Sequence, residues 1–269
     1  MCFRSWRGAG SATDRHSVSP WRTLRLPTIQ GVIDRRILVN YRVDAEVAAR
    51  LLPAPFRPKL ANGHAMAGIC LIRLKQIRPA FVPLAAGIGS ENAAHRFAVE
   101  WQRDGQSRQG VFIPRRDTSS RLNTILGGRL FRGEHHHARF EVSDTANRLR
   151  VAFESDDGQA RVSVAARLAD GLAADSVFAS LDEASSFFEG GALGYSATQD
   201  PARYDGLELR CKRWAVQPLA VEAVRSSYFD DRTKFPEGSA TFDCALLMRG
   251  IEHEWHTRED LYGGEPAGV

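Results

Sequence analysis

A chain of 269 residues with 43% apolar side chains can bury a core of its own, as one large domain or two small ones. Its formal net charge of +4 is carried almost wholly by arginine, and basic residues alternate with acidic ones instead of clustering, which speaks against a nucleic-acid partner. The most apolar run, residues 65–74, is broken by Arg73 and falls short of the roughly 18 residues that span a bilayer, so no membrane partner is expected and the cytoplasm is the expected location.

Residues 1–28 hold Arg4, Arg7, Arg15, Arg22 and Arg25 against the single acid Asp14, without apolar periodicity, and read as a disordered arginine-rich leader. Residues 36–43 alternate as a strand; Asp44 then caps a short helix through Leu52, which Pro53 and Pro55 end. A long strand over 66–77 follows. Residues 92–101 and 109–114 form a hairpin around Asp104-Gly105, with His95, Phe97, Val99 and Trp101 on one face and Arg96, Ala98 and Glu100 on the other. Asp117-Thr118-Ser119 offers a cap for a helix carrying Leu122, Ile125 and Leu126, stopped by Gly127-Gly128.

Strands resume over 134–142, 149–154 and 160–168, the last two joined at Asp157-Gly158. Ser180 and Glu183 have capping-box spacing and open a helix through Glu189. Strands over 207–211, 216–224 and 240–253 complete the chain. No repeat or linker divides it, so the expectation is one β-rich α+β domain over 29–258, followed by a flexible tail over 259–269.

Three adjacent imidazoles, His135, His136 and His137, are the first place to look for chemistry. They admit a metal site, an acid/base or anion site, or a solvated strand. Alternate strand residues point to opposite faces, so His135 and His137 can share a site that His136 cannot join; nothing in the spacing requires a metal. Glu91 and Arg96 form either a surface ion pair or, turned inward, a proton-transfer group and a carboxylate clamp. Arg115, Arg116, Arg121, Arg129, Arg132 and Arg139 place six guanidiniums within 25 residues; any that line a pocket favour an anionic ligand. Cys70 and Cys244, in apolar runs, read as small hydrophobes.

The order of several segments resembles the YqjF-like family of uncharacterised proteins, which is related to acetoacetate decarboxylase. The matching features are Asn40-Tyr41-Arg42-Val43-Asp44 before Leu51-Leu52-Pro53, Ile77-Arg78-Pro79, Glu91-Asn92 with Arg96, and Gly110-Val111-Phe112-Ile113. Gly128-Arg129-Leu130-Phe131, Tyr195-Ser196 and Trp214 to Leu219 continue the match. The resemblance implies curved antiparallel sheets around a central cavity, with a few outer helices. In the decarboxylase that cavity holds an imine-forming lysine beside a second lysine, with a glutamate and an arginine nearby. That location falls here on His135 and His136, and no lysine lies between Lys75 and Lys212; imidazole has no primary amine, so imine chemistry is not expected.

The resulting expectation is a small carboxylate or keto ligand, with Glu91, His135, His136 and His137 as acid/base groups and Arg96, Arg115, Arg116 and Arg129 as ligand-binding groups. Any turnover is of lyase or isomerase type on a carbonyl compound. No cofactor is implied, and association of identical chains is left open. The rival expectations are a non-catalytic binding or scaffold protein and a histidine-based metal-binding protein.

Overall fold

The computed structural model describes residues 28–83, 87–125 and 133–263. The expected leader lies outside them except for Thr28, as do Arg129, Arg132 and the Gly127-Gly128 helix stop. The strands are β1 (Ile29–Val43), β2 (Arg57–Pro58), β3 (Leu60–Ala61), β4 (His64–Pro79), β5 (Ile88–Arg103), β6 (Gln106–Thr118) and β7 (His135–Asp144). They continue as β8 (Arg148–Ser155), β9 (Arg161–Leu168), β10 (Leu193–Ala197), β11 (Arg203–Cys211), β12 (Gln217–Ser226), β13 (Ala240–Thr257) and β14 (Leu261–Tyr262). Among the described residues three helices, α1 (Ala45–Leu51), α2 (Arg121–Ile125) and α3 (Leu181–Glu189), interrupt them.

All strands belong to one sheet that closes on itself in two ways. β6, β7, β8, β9, β12, β13, β1, β4 and β5 form one ring, because β5 pairs with β6. A second ring leaves β6 through β10 and β11 and returns to β13. The two long strands fork to allow this. One edge of β6 pairs with β10 at 111–113 and with β7 at 116–118, and one edge of β13 pairs with β12 at 245–247 and with β11 at 253–257. Closure removes most unpaired strand edges.

The strand alternation read from the sequence holds, and it divides the interior. Ile37, Val39, Ile69, Leu71, Phe97, Val99, Val151, Val164 and Leu247 point into the nine-strand ring and form the main core. The opposite face of β1, β4, β5 and β13 carries Leu38, Met66, Cys70, Ala94, Ala98 and Leu246, covered by Ala184 and Phe188 of α3. The 104–105 turn has φ of 52° and 70° at Asp104 and Gly105, the type I′ geometry that matches strand twist.

Several expectations change. β1 starts at Ile29, not residue 36: a bulge between Ile33 and Arg35 in the β4 pairing breaks the alternation, so Ile29 and Ile33 pack with Leu74 and Met248 while Ile37 enters the main core. Asp44 stands at the N-cap of α1 without a side-chain hydrogen bond, and Asp117 lies within β6, where Arg115 occupies it, so α2 starts at Arg121. Within the tail expected from residue 259, β14 pairs with the β11 edge and buries Leu261. At α3, Ser180 does accept from the Glu183 amide at 3.1 Å, but the Glu183 carboxylate accepts from Ala179 N, one residue earlier than a capping box requires. Among the described residues no helix is long and apolar enough to cross a membrane.

Candidate functional site

Register across β1, β4, β5, β6 and β7 builds one polar wall. Residues directly opposite each other share a face. One row reads Leu38, Cys70, Ala94, Arg116, His135; the row beside it reads Arg36, Ile72, Asn92, Thr118, His137; a third holds Asn40, Gly68 and Arg96. Leu207 of β11 and Trp255 of β13 face this wall across a cavity of about 50 Å³, whose lining includes Ile72, Leu74, Asn92, Ala94, Arg116 and His135. Ala94, lying between Cys70 and Arg116, keeps the middle of the wall open because it carries only a methyl group.

His135 enters the cavity at the first position of β7, just after Gly133. There the backbone has φ of 90° and a Cβ would lie 2.6 Å from Ser196 Cβ, so glycine alone fits. Gly133 N donates to Asp205 at 3.0 Å, and its carbonyl stands 3.1 Å from His135 Nδ1. That contact assigns the imidazole proton to Nδ1 and leaves Nε2 as the acceptor nitrogen. Burial, reinforced by the Arg116 charge, pushes the His135 pKa down to about 3, so the ring is neutral at physiological pH.

Arg116 donates through Nε to Ser196 Oγ at 2.9 Å. Arg96, 5% exposed, donates to Asn40 Oδ1 at 2.6 Å, stands 5.2 Å over the Phe188 ring, and leaves its Nε without a partner. Burial pushes both guanidiniums down to about 10, which still leaves them protonated at neutral pH. Among the described residues neither forms an ion pair within 4.0 Å, and Arg116 feels the longer-range field of Asp205. Buried guanidinium groups without carboxylate partners are costly, and a bound anion would relieve that cost.

The other expected residues lie elsewhere. Glu91 faces the interior of the nine-strand ring, where Oε2 accepts from Arg35 and Oε1 from Arg73, each at 2.6 Å. Both oxygens are thus committed to a row of Arg249, Arg35, Arg73 and Glu91 that Asp144 completes. Arg115 shares that interior face and is held by Asp117 and Asp157. His136 turns to Asp157 at 3.1 Å and His137 to Asp156 at 2.7 Å, so the three rings diverge. Among the described residues, no group of three or more His, Cys, Asp or Glu side chains converges in a way that could hold a metal ion. Arg129 lies outside the described residues.

Arg36, Cys70, Asn92, Leu207 and Trp255 were not anticipated. Arg36 and Cys70 were legible only in principle: period two from Arg96 and Arg116 gives the wall's parity, but the cross-strand register is needed to bring Arg36 and Cys70 to it. Cys70 accepts a hydrogen bond from Arg36 Nε at 3.0 Å, a polar role its apolar sequence neighbours hid.

The sequence matches the family DUF2071, described as "Uncharacterized conserved protein (COG2071)", over residues 33–251. The chain belongs to that family. No curated protein matches it. Solved structures with the same fold include the enduracididine biosynthesis enzyme MppR complexed with pyruvate, at TM-score 0.53 and 12% identity, covering 94% of this chain and 98% of that one. The same enzyme, with the condensation product of pyruvate and imidazole 4-carboxaldehyde, aligns at TM-score 0.52 and 13% identity over 95% and 97% of the two chains. Acetoacetate decarboxylase from Legionella pneumophila aligns at TM-score 0.53 and 9% identity, over 87% of this chain and 88% of its own. At such identities the likeness establishes an acetoacetate decarboxylase-like fold for this DUF2071 protein, and function must be argued from the site.

Proposed function

We propose that this DUF2071 protein binds a small carboxylate or keto compound in the cavity between the Arg116 wall and β11, with Arg116 as anion anchor and Arg96 adding positive field from the next row. The observation that carries this reading is a pair of buried guanidiniums, Arg96 and Arg116, that have hydrogen bonds but no ion-pair partner within 4.0 Å among the described residues. His135, neutral because burial and the Arg116 charge push its pKa down to about 3, lines the same cavity beside the Arg116 anchor. The pyruvate bound in the MppR structure is a ligand of that chemical class.

Imine chemistry does not fit these side chains. Lys75 lies on the opposite face of β4 and pairs with Asp34 at 2.9 Å. Lys59 stands over the Phe187 ring, Lys212 pairs with Glu252 and Lys234 with Asp231, so none of the four lysines lines the cavity. Borohydride treatment with acetoacetate is expected to leave the protein unmodified; an adduct on any lysine, read by mass spectrometry, overturns this part of the reading.

Binding is tested by thermal shift with pyruvate. At ligand about 100-fold above Kd the stabilisation is about 2.7 kcal/mol, or roughly 5–10 °C for a domain this size. Arg116→Gln should abolish the shift. No stabilisation of wild type, or an equal shift in the variant, overturns the proposal.

A further inference from the structure

Arg36 has an unusual set of partners for a guanidinium. Its Nε donates to the Cys70 sulfur at 3.0 Å, its Nη1 lies 4.0 Å from the Met248 sulfur, and its carbon stands 5.9 Å over the Trp214 ring. Sulfur and an indole face are weak acceptors for five N–H donors, and among the described residues no carboxylate lies within 4.0 Å. The group is half-buried and lines a cleft of about 90 Å³ with Leu209, Cys211, Trp214 and Glu189. Glu189, at the C-terminal end of α3, is exposed at the rim and forms no ion pair with it.

This cleft adjoins the Arg116 cavity. Arg36 is directly opposite Ile72, and Ile72 is directly opposite Asn92; both of those line the cavity. β11 roofs the two spaces with successive residues of one face, Leu207 over the cavity and Leu209 over the cleft, which are about 7 Å apart along a strand. Arg36 on β1 and Arg116 on β6 stand three strands and one row apart, roughly 15 Å between their Cα atoms, a span that a five- or six-carbon diacid covers when each carboxylate meets one guanidinium end-on. Arg36 also leans toward the Arg116 row, since its Nε reaches Cys70, a member of that row.

We propose that Arg36 is the anchor for a second carboxylate, so that the ligand class of this site is a dicarboxylate, and in particular a keto diacid, bridging Arg116 and Arg36. The inference rests on the carboxylate reading of the cavity and narrows it. A ligand oxyanion on Arg36 would replace sulfur contacts with a charge-assisted pair. The methylenes between the carboxylates would lie between Ile72 on the wall and Leu207 and Leu209 on the roof.

The test is calorimetric titration of the full chain at pH 7 with pyruvate and with 2-oxoglutarate. Wild type is expected to prefer the diacid by about ten-fold or more, the scale of one added charge-assisted contact. In Arg36→Gln that preference should collapse to within about two-fold, and Arg36→Lys should restore part of it. A wild-type preference near one, with pyruvate still bound, overturns the diacid inference and leaves the carboxylate reading standing; so does a preference that persists in Arg36→Gln. Failure of both ligands to bind wild type overturns both. The wild-type ratio needs no variant, so a folding defect in Arg36→Gln does not blunt the test.

Discussion

Replacing Glu91 by glutamine separates a structural anion from a catalytic acid. Glu91 is 15% exposed, and each oxygen accepts one 2.6 Å bond, from fully buried Arg35 and from Arg73, which is 29% exposed. Glutamine keeps the shape but has one acceptor oxygen, so its NH2 must face one of the two guanidiniums as donor against donor. Each charge-assisted bond is worth about 1.5–3 kcal/mol; the Arg73 arm is discounted for solvent screening, and the buried Arg35 arm carries most of the loss. Asp144, 3.5 Å from Arg35, retains part of the compensation. The expected loss is about 3 kcal/mol, seen in denaturant unfolding or as roughly 6–12 °C in Tm. The double variant Arg35→Met, Glu91→Leu should recover much of it, because an apolar pair leaves no buried charge. A loss under about 0.5 kcal/mol, or unchanged stability with loss of the pyruvate response, would refute the assignment of Glu91 to the charge network.

Acid should destabilise the protein well above the carboxylate range. Burial is the first cause that pushes His95 and His135 down to about 3 and His253 down to about 4, against about 6.5 in the unfolded chain. Between pH 6.5 and those folded values the unfolded state binds protons that the folded state refuses. Stability is therefore fully present above about pH 6.5 and falls with pH by up to about 1.4 kcal/mol per unit for each ring. Urea midpoints at pH 7, 6 and 5 check this, and a flat profile refutes it. His95, its ring tilted 40° against Tyr228 at 4.8 Å and both ring nitrogens without a hydrogen bond, should tolerate phenylalanine, and His95→Phe should remove about one third of the slope. Gly105→Ala meets open space at the new Cβ, so its cost is backbone strain at φ of 70°, about 1 kcal/mol; an unchanged unfolding midpoint would count against the type I′ turn.

Much of the architecture was readable from local rules. Alternation in residues 92–101 assigned His95 and Phe97 to one face and Arg96 to the other, as β5 has them. The same rule separated His136 from His135, because side-chain direction in a strand depends only on residue parity; Arg115 and Arg116 were expected together at the ligand, and the structure puts them on opposite faces of β6. The absence of lysine between positions 75 and 212 already disfavoured the imine reaction. Parity could not say which face encloses a cavity and which is occupied by ion pairs, and Glu91 shows the consequence: as a charged residue near Arg96 it read as a site acid, yet Arg35 and Arg73 hold both its oxygens.

What the sequence determined by itself is thus the β-rich class and the parity of the strand faces. Only the tertiary structure decided that Arg36, Cys70, Arg96, Arg116 and His135, drawn from five strands, belong to one wall. Cross-strand register and the forks in β6 and β13 set that wall, and both depend on closing a ring among residues far apart in the chain. Such non-local pairing is fixed by the collective burial of a whole face and leaves no signature in any single segment.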